Sequence, residues 1–305
     1  MQLRSLHYFD AVARCRSLRQ AAALLHIVPT ALSRQIVQLE HELGARLIER
    51  SPKGVRLTAA GELLAEQASR TLKELERVRE RIDDLRELGA GHVSLYVTEG
   101  LAAGLVAPVL AKLTRDHPRL RFTLCIQSAP AIVRALREGD CDIGVAFFID
   151  EEEGIERRRV GRLEQCMIVA PSHPLANAQR VSLATLAAQQ LALPDQGYGV
   201  RRTLDALAKV AGVEIDPAYV TPSIEMQKAL ARSGAAALVL PRLAVAHECA
   251  QGEFVAVPID EPRLSRVAID LCVPVHAQPG FAVVETLARL VHAFDEGGVA
   301  QTCAA

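Results

Sequence analysis

Hydrophobic positions near the N-terminus recur at helical spacing and predict three short helices. The first helix carries its apolar residues on one face, at Leu3, Leu6, Phe9 and Ala13. Ser17 begins the stretch SLRQAAALL, where Ser17 and Gln20 have the spacing of a capping box. After a short connection, Pro29 suits the first turn of a third helix, which Gly44 ends. Two helices joined so closely predict a helix-turn-helix unit.

A hairpin and a long polar helix follow. The stretch RSPKGVRL places Pro-Lys-Gly between two short runs that favour β structure, which predicts a wing. Thr58 can cap the next helix, which runs to about residue 88. Its narrow apolar stripe alternates spacings of three and four, at Ala68, Thr71, Leu75, Val78, Ile82 and Leu85. Such a heptad seam predicts pairing with a second copy of the chain through the last four of these residues. The alternative is packing of the stripe on its own domain.

From Gly91 onward, short apolar runs alternate with amphipathic stretches. The runs are HVSLYVT, RFTLCIQS, CDIGVAFF, CMIVA, LALP, AALVLP and AIDLCVP. This alternation predicts parallel-sheet α/β units, and the length favours two subdomains. We therefore predict an all-α winged helix-turn-helix at 1–58, a linker helix at 59–89 and a C-terminal α/β regulatory domain at 90–305. Its subdomains would span about 91–162 with 268–295, and 163–267.

Charge is distributed unevenly between the two ends of the chain. Residues 1–57 hold nine Lys or Arg against four Asp or Glu, a net charge of +5, and the remainder holds 26 against 32, a net charge of −6. A basic head on an acidic body favours a polyanionic partner for the head. The sequence shows neither a membrane span nor a secretory signal, which predicts a cytoplasmic protein. Seven dispersed cysteines favour reduced thiols, with a redox-sensing pair as the alternative.

The start of the third helix is the candidate DNA-reading segment. An α-helix fits the major groove, and the first residues of the second helix of the unit face the base edges. These residues are Pro29, Thr30, Ser33 and Arg34. Basic residues of the hairpin would lie along the flanking backbone or minor groove, at Arg50, Lys53 and Arg56. The alternative treats them as ordinary helix-start residues and a solvated basic face.

The stretch from SLRQAAALL to VRLTAAG strongly resembles the winged helix-turn-helix of LysR-type transcriptional regulators. LREGDCDIGVAFF and SGAAALVLP resemble two segments of the family's C-terminal domain, which is similar to periplasmic binding proteins. The head departs from the family pattern at Val28, Pro29 and Thr30, where members often carry Ser-Gln-Pro, so Thr30, Ser33 and Arg34 become the favoured base contacts. The resemblance implies tetramers, bent DNA and a small effector, often an anion, held in a cleft between the subdomains.

Candidate effector-binding residues follow the predicted strands, where helix N-termini offer free N–H groups. They are Thr98, Glu99, Gly100, Ser128, Tyr198 and Arg201. Thr98, Ser128 and Arg201 suit a carboxylate, whereas Glu99 would repel an anion or pair with an amine. The alternative is that Ser128 caps its helix and Arg201 forms a surface salt bridge. The nine histidines lack the spacing of metal ligands, and we predict neither a metal nor a cofactor besides the effector.

These features predict a DNA-binding transcriptional regulator whose promoter binding responds to a small molecule. Its partners would be double-stranded promoter DNA, the effector and further copies of the chain, as a homodimer or homotetramer; RNA polymerase is a further candidate and a membrane is not. The alternatives are a freestanding small-molecule-binding protein, which leaves residues 1–88 unexplained, an architectural DNA-binding protein, and an α/β enzyme. The sequence has no nucleophile elbow, HExxH or P-loop to support an enzyme.

Overall fold

A computed structural model describes residues 2–51, 54–86, 90–149, 153–275 and 279–295. The chain divides into two compact units, and the division in sequence lies between Ile82 and Asp83. We call residues 2–58 of the first unit the head, and the second unit the regulatory domain. No helix in the described ranges is long and apolar enough to cross a membrane.

The head contains three helices and a two-stranded hairpin. The helices are α1 (Leu3–Cys15), α2 (Leu18–Leu24) and α3 (Pro29–Leu43), and the strands are β1 (Ile48–Ser51) and β2 (Gly54–Leu57). Ser17 caps α2, because its hydroxyl accepts a hydrogen bond from the Gln20 N–H at 3.4 Å. Gly44 ends α3 with a φ of 63°, in the left-handed region that glycine adopts at low cost. The helix-turn-helix with its wing therefore forms where the sequence predicted it.

The head has its own hydrophobic core. The inward faces of the three helices and both strands meet there, at Phe9, Val12, Ala21, Leu32, Ile36, Leu39, Leu47 and Leu57. Helix α4 (Ala59–Arg86) follows the hairpin. Thr58 caps it, since its hydroxyl accepts from the Gly61 N–H at 3.0 Å and donates to the Arg46 carbonyl at 2.6 Å. The first turn of α4 is thus tied to the segment that precedes β1.

The regulatory domain alternates strands with helices. Its strands are β3 (Gly91–Val97), β4 (Leu120–Ile126), β5 (Ile143–Phe147), β6 (Ile155–Leu163), β7 (Gln165–Val169), β8 (Leu191–Leu193), β9 (Tyr219–Val220), β10 (Ala237–Pro241), β11 (Val255–Pro258) and β12 (Val267–Pro274). Its helices are α5 (Glu99–Leu101), α6 (Ala107–Asp116), α7 (Ala129–Glu138), α8 (Leu183–Ala187), α9 (Gly199–Ala211), α10 (Ile224–Arg232), α11 (Ala246–Ala250), α12 (Pro262–Ser265) and α13 (Phe281–Asp295). A π-helical turn at Ala102–Val106 follows α5, and a 3-10 turn at Arg242–Val245 follows β10.

Two five-stranded sheets organise the regulatory domain into two lobes. The first has the order β4-β3-β5-β12-β6 and the second has the order β11-β7-β10-β8-β9. The inner strands β5, β7 and β10 are buried along their whole length, because helices cover both faces of each sheet. Each lobe therefore has its own core, and the carboxyl ends of β3, β4 and β8 lead into the segments predicted to bind an effector.

The expectation of purely parallel sheets is wrong for part of each sheet. Strand β3 pairs in parallel with β4 and β5, and strand β8 pairs in parallel with β9 and β10. In contrast, β7 runs antiparallel to β10 and β11, and β12 runs antiparallel to β5 and β6. The chain passes from β6 in the first sheet to β7 in the second through Glu164 alone. A strand reached without a crossover helix is free to pair antiparallel. Strand β6 itself was not predicted, because its residues IERRRVGRL are too charged to suggest a core strand.

Candidate functional site

The first turn of α3 is the exposed end of the helix-turn-helix. Leu32 and Ile36 are fully buried in the head core, whereas Pro29, Thr30 and Arg34 are exposed. Thr30 and Arg34 are four residues apart, so they project from the same side of the helix. Arg34 forms no ion pair with any residue that the structure describes, which leaves its guanidinium available to an external anion. Ser33, the remaining predicted contact in this turn, is half-buried.

The N-terminus of α3 has no side-chain cap. Val28 occupies the N-cap position in extended conformation, and its side chain accepts no hydrogen bond. Pro29 takes the first helical position, where it removes one N–H group that has no partner in the helix. The remaining N–H groups of this turn and the positive end of the helix dipole favour an anion at this position. Phosphate oxygens of DNA are such anions.

The hairpin is fixed to the helices of the head at two points. The Val55 N–H donates to the Arg16 carbonyl at 2.8 Å, and Arg16 itself has a left-handed φ of 50°. Glu40 Oε1 on α3 accepts from the N–H groups of Leu47 and Ile48, at 2.8 and 3.1 Å. The wing is therefore held in a fixed orientation relative to α3. Of the predicted hairpin contacts, Arg56 is exposed, the Arg50 side chain lies outside the described part, and Lys53 lies outside the described residues altogether.

The predicted dimerisation stripe of α4 is exposed in the single chain. The exposed fractions of Leu75, Val78 and Ile82 are 40%, 47% and 47%. Ala68, nearer the start of the stripe, is buried. The Leu85 side chain lies outside the described part. A helix face that exposes repeated apolar side chains to water can be covered by another apolar surface.

Residues at the carboxyl ends of β3 and β5 form one side of a cleft in the regulatory domain. Glu99 follows β3, and its Oε2 accepts a hydrogen bond from the Ile224 N–H at 3.1 Å, at the start of α10 in the other lobe. A Cβ on Gly100 would lie 3.3 Å from Pro241 Cγ, so the two lobes approach closely there. The Thr98 hydroxyl is buried and forms no hydrogen bond within the described part of the chain. Phe148 follows β5 with a left-handed φ of 58°.

The segment after β8 forms the other side of the cleft. Asp195 Oδ1 accepts from the Gly197 N–H at 2.7 Å. Tyr198 is half-buried at the start of α9, and its pKa is raised by burial and by the charges of Asp195 and Glu99. A Cβ on Gly199 would lie 2.4 Å from Phe148 Cβ, so only glycine permits this approach. The structure thus brings Glu99, Gly100 and Tyr198 together, although they are separated by about a hundred residues in sequence.

Two residues that the sequence named as effector contacts, Arg201 and Ser128, do not have the surroundings expected of such contacts. Arg201 Nε donates to both carboxylate oxygens of Asp205, at 2.8 and 3.0 Å, and the Arg201 side chain is only 12% exposed. Its charge is therefore neutralised within α9. Ser128 occupies the N-cap of α7 after the edge strand β4, but its hydroxyl caps no N–H group. Ser128 is half-buried, and the alternative in which its hydroxyl caps α7 is wrong because that hydrogen bond is missing.

Sequence reasoning missed two residues of the cleft edge. Gln227 on α10 is 2% exposed, and its Nε2 donates to the Thr221 carbonyl at 2.8 Å. The Thr221 N–H in turn donates to the Leu193 carbonyl, so the Gln227 side chain is linked through Thr221 to the carboxyl end of β8. Phe148 was the last letter of CDIGVAFF, and its place after a buried strand was the signal that could have identified it. Gln227 had no such signal, because its role depends on contacts between α10 and distant strands.

The cysteines and acidic residues of the described ranges form no metal-binding group. The cysteines that the structure describes form no disulfide with one another, and Cys141, Cys166 and Cys272 are buried. Burial raises the pKa of Cys249 and raises that of Cys272 to about 12, which disfavours their reactive thiolate forms. Cys303 lies outside the described residues. The cleft segment from Asp195 to Arg201 contains no cysteine.

Comparison with known protein families decides the identity of the chain. Residues 86–295 match the family described as LysR substrate binding domain, and residues 3–62 match the family described as bacterial regulatory helix-turn-helix protein, lysR family. The chain belongs to the LysR family of transcriptional regulators. Members of the LysR family are DNA-binding regulators with an effector-binding domain, and this chain is such a regulator rather than an enzyme. The predicted fold class and the resemblance to the family are confirmed.

Individual LysR relatives match over most of the chain. The DNA-binding transcriptional dual regulator OxyR of Escherichia coli (strain K12) is 29% identical over 268 residues, which cover 87% of each chain. The hydrogen peroxide-inducible genes activator of Pectobacterium carotovorum subsp. carotovorum is also 29% identical, over 87% of this chain and 88% of its own. The crystal structure of full-length CbnR complexed with its target DNA has a TM-score of 0.69 and 27% identity, covering 97% of this chain and 99% of CbnR.

Proposed function

We propose that this LysR regulator reads promoter DNA with the first turn of α3. Thr30, Ser33 and Arg34 would contact base edges and phosphates in the major groove, with Pro29 setting the entry of the helix. Arg50, Lys53 and Arg56 of the hairpin would follow the neighbouring backbone or minor groove. The observation that carries this proposal is the exposed Arg34 on an uncapped helix N-terminus. CbnR, a relative with the same fold, has been crystallised with its target DNA.

We further propose that the chain acts as a homodimer or a homotetramer built through α4. Leu75, Val78 and Ile82, together with Leu85, would form the seam between two copies of the helix. Two heads would then meet successive major grooves, about one helical turn of DNA apart. Promoter binding implies work in the cytoplasm, where the chromosome lies. RNA polymerase bound at the same promoter would be the further partner.

The cleft of the regulatory domain is the proposed effector site. Its candidate contacts to the effector are Thr98, Glu99, Gly100 and Tyr198. Ser128 follows the neighbouring strand, β4. Arg201 is the weakest member of this set, because Asp205 already holds its guanidinium. We therefore expect Arg201→Ala to leave effector affinity almost unchanged, whereas the sequence alone left a direct contact to a carboxylate open. Calorimetric titration of the variant beside wild type measures this difference.

The DNA proposal is tested by fluorescence anisotropy with DNA from just upstream of the chain's own gene. Wild type should bind this DNA more tightly than random DNA, with an affinity that falls steeply with salt. Arg34→Ala should lose about 1–3 kcal/mol of binding free energy, because it removes a bidentate contact from the groove. Arg115→Ala, an exposed arginine of α6, is the matched control and should bind like wild type. Equal affinity of the Arg34 variant and wild type would remove Arg34 from the reading surface.

The dimer proposal is tested by sedimentation of the full chain. Ile82→Glu places a charge in the seam and should lower the fraction of dimer at a given concentration by at least about tenfold, since a buried unpaired charge is costly. Glu74→Lys changes an exposed charge of the same helix outside the stripe and should leave assembly unchanged. An Ile82 variant that sediments like wild type would place the interface elsewhere.

A further inference from the structure

The residues of the cleft differ from those that a carboxylate ligand requires. An anion-binding cleft needs free N–H groups at a helix N-terminus and an available cation. In this chain Glu99 already occupies the N–H group of Ile224 at the start of α10. Arg201, the last residue of the cleft segment, is paired with Asp205. The neighbouring Arg202 donates to the carbonyls of Gln196 and Gly197. These features oppose binding of an anionic effector.

The unoccupied groups of the cleft are acceptors of hydrogen bonds. Gln227 Nε2 donates to the Thr221 carbonyl, so the other end of the amide is Oε1, which can only accept. This oxygen is buried, in a residue that is only 2% exposed, and it has no hydrogen-bond partner among the described residues. An unpaired buried acceptor is destabilising unless a ligand or water supplies a donor. The Thr98 hydroxyl, which can also accept, is buried and unpaired within the same described part.

Negative charge and aromatic rings come from the segments that meet where Glu99 bonds to Ile224 and Phe148 lies against Gly199. Glu99 and Asp195 belong to opposite lobes, and their charges act together with burial to raise the pKa of Tyr198. Phe148 lies against the backbone of Gly199, one residue beyond Tyr198. The left-handed φ of Phe148 is a strained conformation for a residue with a side chain, and such strain clusters at active sites, ligand clamps and switch regions. Carboxylates next to aromatic faces are the surroundings that stabilise an ammonium group.

We propose that the effector of this regulator is an organic cation, a small amine whose ammonium group lies between Glu99 and Asp195. Its N–H groups donate to these carboxylates and to Gln227 Oε1, and its carbon skeleton lies against Phe148 and Tyr198. This inference rests on the proposed function, which places the effector in the cleft. Because Glu99 and Asp195 come from different lobes, the ammonium group binds both lobes at once and favours the closed arrangement of the cleft.

The proposal is tested by thermal unfolding and calorimetric titration of the full chain with matched probes. Benzylamine, benzoate and benzyl alcohol share one ring and differ in charge, and butylamine, butyrate and butanol repeat the comparison on an aliphatic skeleton. The amine of at least one set should raise the unfolding temperature and give a measurable Kd, because a ligand that binds only the folded state stabilises it. The matched carboxylate and alcohol should bind at least about tenfold more weakly, a difference of about 1.4 kcal/mol.

Conservative variants remove the negative charge of a cleft residue without disturbing the fold. Glu99→Gln keeps an acceptor for the Ile224 N–H, and Asp195→Asn keeps one for Gly197, so both should fold. Each should weaken amine binding at least about tenfold. Glu225→Gln alters an acid in the first turn of α10 whose side chain is 72% exposed, and it should bind amines like wild type.

Three results would overturn the proposal: carboxylates that bind as well as amines, amines that give no response, or an amine response unaffected in both cleft variants. Promoter binding by the same preparations distinguishes failure of the cationic effector from failure of the proposed function. Intact promoter binding together with any of these results would remove the cationic effector alone, whereas loss of promoter binding by wild type would contradict the DNA proposal.

Discussion

The head and the cleft of the regulatory domain are built in different ways. In the head, Thr30 and Arg34 lie within one turn of one helix, and a core formed within residues 2–58 fixes that helix. In the cleft, Glu99 and Ile224 are 125 positions apart in sequence and belong to different lobes. The head is therefore a rigid surface defined by local sequence. The cleft is a set of contacts that exists only while two lobes are together.

This difference predicts different consequences of mutation. A substitution that disturbs the packing of the head should cost folding free energy, because its elements have no other arrangement. A substitution that disturbs the contact between lobes should cost little stability, because each lobe keeps its own core. It should instead change the response to the effector.

The largest effect is expected from Gly61→Ala. A Cβ at Gly61 would lie 2.0 Å from the Leu47 carbonyl oxygen, which is a backbone atom that cannot move aside. We expect a loss of about 3 kcal/mol or more in the stability of the head. Hydrogen exchange of α3 measures this loss, and Ala59→Ser, at an exposed position of the same turn, is the control. Wild-type protection of α3 in the Gly61 variant would show that the head tolerates repacking, and the contrast with the cleft would fail.

A smaller effect is expected from Glu248→Gln, inside one lobe. Glu248 accepts a hydrogen bond from Lys228 Nζ at 2.6 Å, and the Lys228 side chain is 7% exposed. Burial opposes the charge of Glu248, but Lys228 and Arg232 outweigh burial and lower its pKa below the usual value for a glutamate. Glu225 Oε1 lies 3.5 Å from the same ammonium group and stays in place, so losing the charged hydrogen bond to Glu248 should cost about 1.5–3 kcal/mol at neutral pH. Amine binding in the cleft should not change.

The pH dependence of this effect follows from the direction of the pKa shift. A carboxylate whose pKa is lower in the folded state stabilises fully above its unfolded pKa, and that contribution is lost as the pH falls through the folded pKa. The difference in urea midpoint between wild type and Glu248→Gln should therefore be full near about pH 7 and shrink below about pH 4.5. Glu253→Gln, in a half-exposed pair with Arg232, should have little effect at any pH. A difference that grows as the pH falls would contradict the assignment.

The smallest loss of stability is expected from Gly199→Ala. The new Cβ would lie 2.4 Å from Phe148 Cβ, and the neighbour belongs to the other lobe. The lobes can separate slightly, so we expect a cost of only about 1 kcal/mol in unfolding free energy. Amine affinity should fall at least about tenfold, because separation of the lobes parts Glu99 from Asp195. Calorimetry of amine binding beside urea unfolding measures both quantities. A large loss of stability with unchanged amine affinity would contradict the difference between head and cleft.

The sequence was sufficient for the head because its signals are local. Ser17, Gly44 and Thr58 mark helix ends through interactions within a few residues, and the structure has each in its predicted role. The cleft was predicted only in part. Glu99 and Tyr198 were identified from their places after strands. For Arg201 the sequence left a ligand contact and a salt bridge both open, and it did not identify Asp205 as the partner. The hydrogen bond between Glu99 and α10 could not be foreseen either, because it depends on how two lobes meet.

An amine bound in the cleft should control promoter binding by the head. The direct measurement is the anisotropy Kd for promoter DNA across a titration with the amine that stabilises the full chain most, in wild type, Glu99→Gln and Arg34→Ala. We expect saturating amine to change the wild-type Kd at least about fivefold, and promoter DNA to change the amine Kd by the same factor. Glu99→Gln should lose this coupling, and Arg34→Ala should bind DNA weakly but keep its amine affinity. A promoter Kd that is the same with and without saturating amine would contradict control of the head by the cleft.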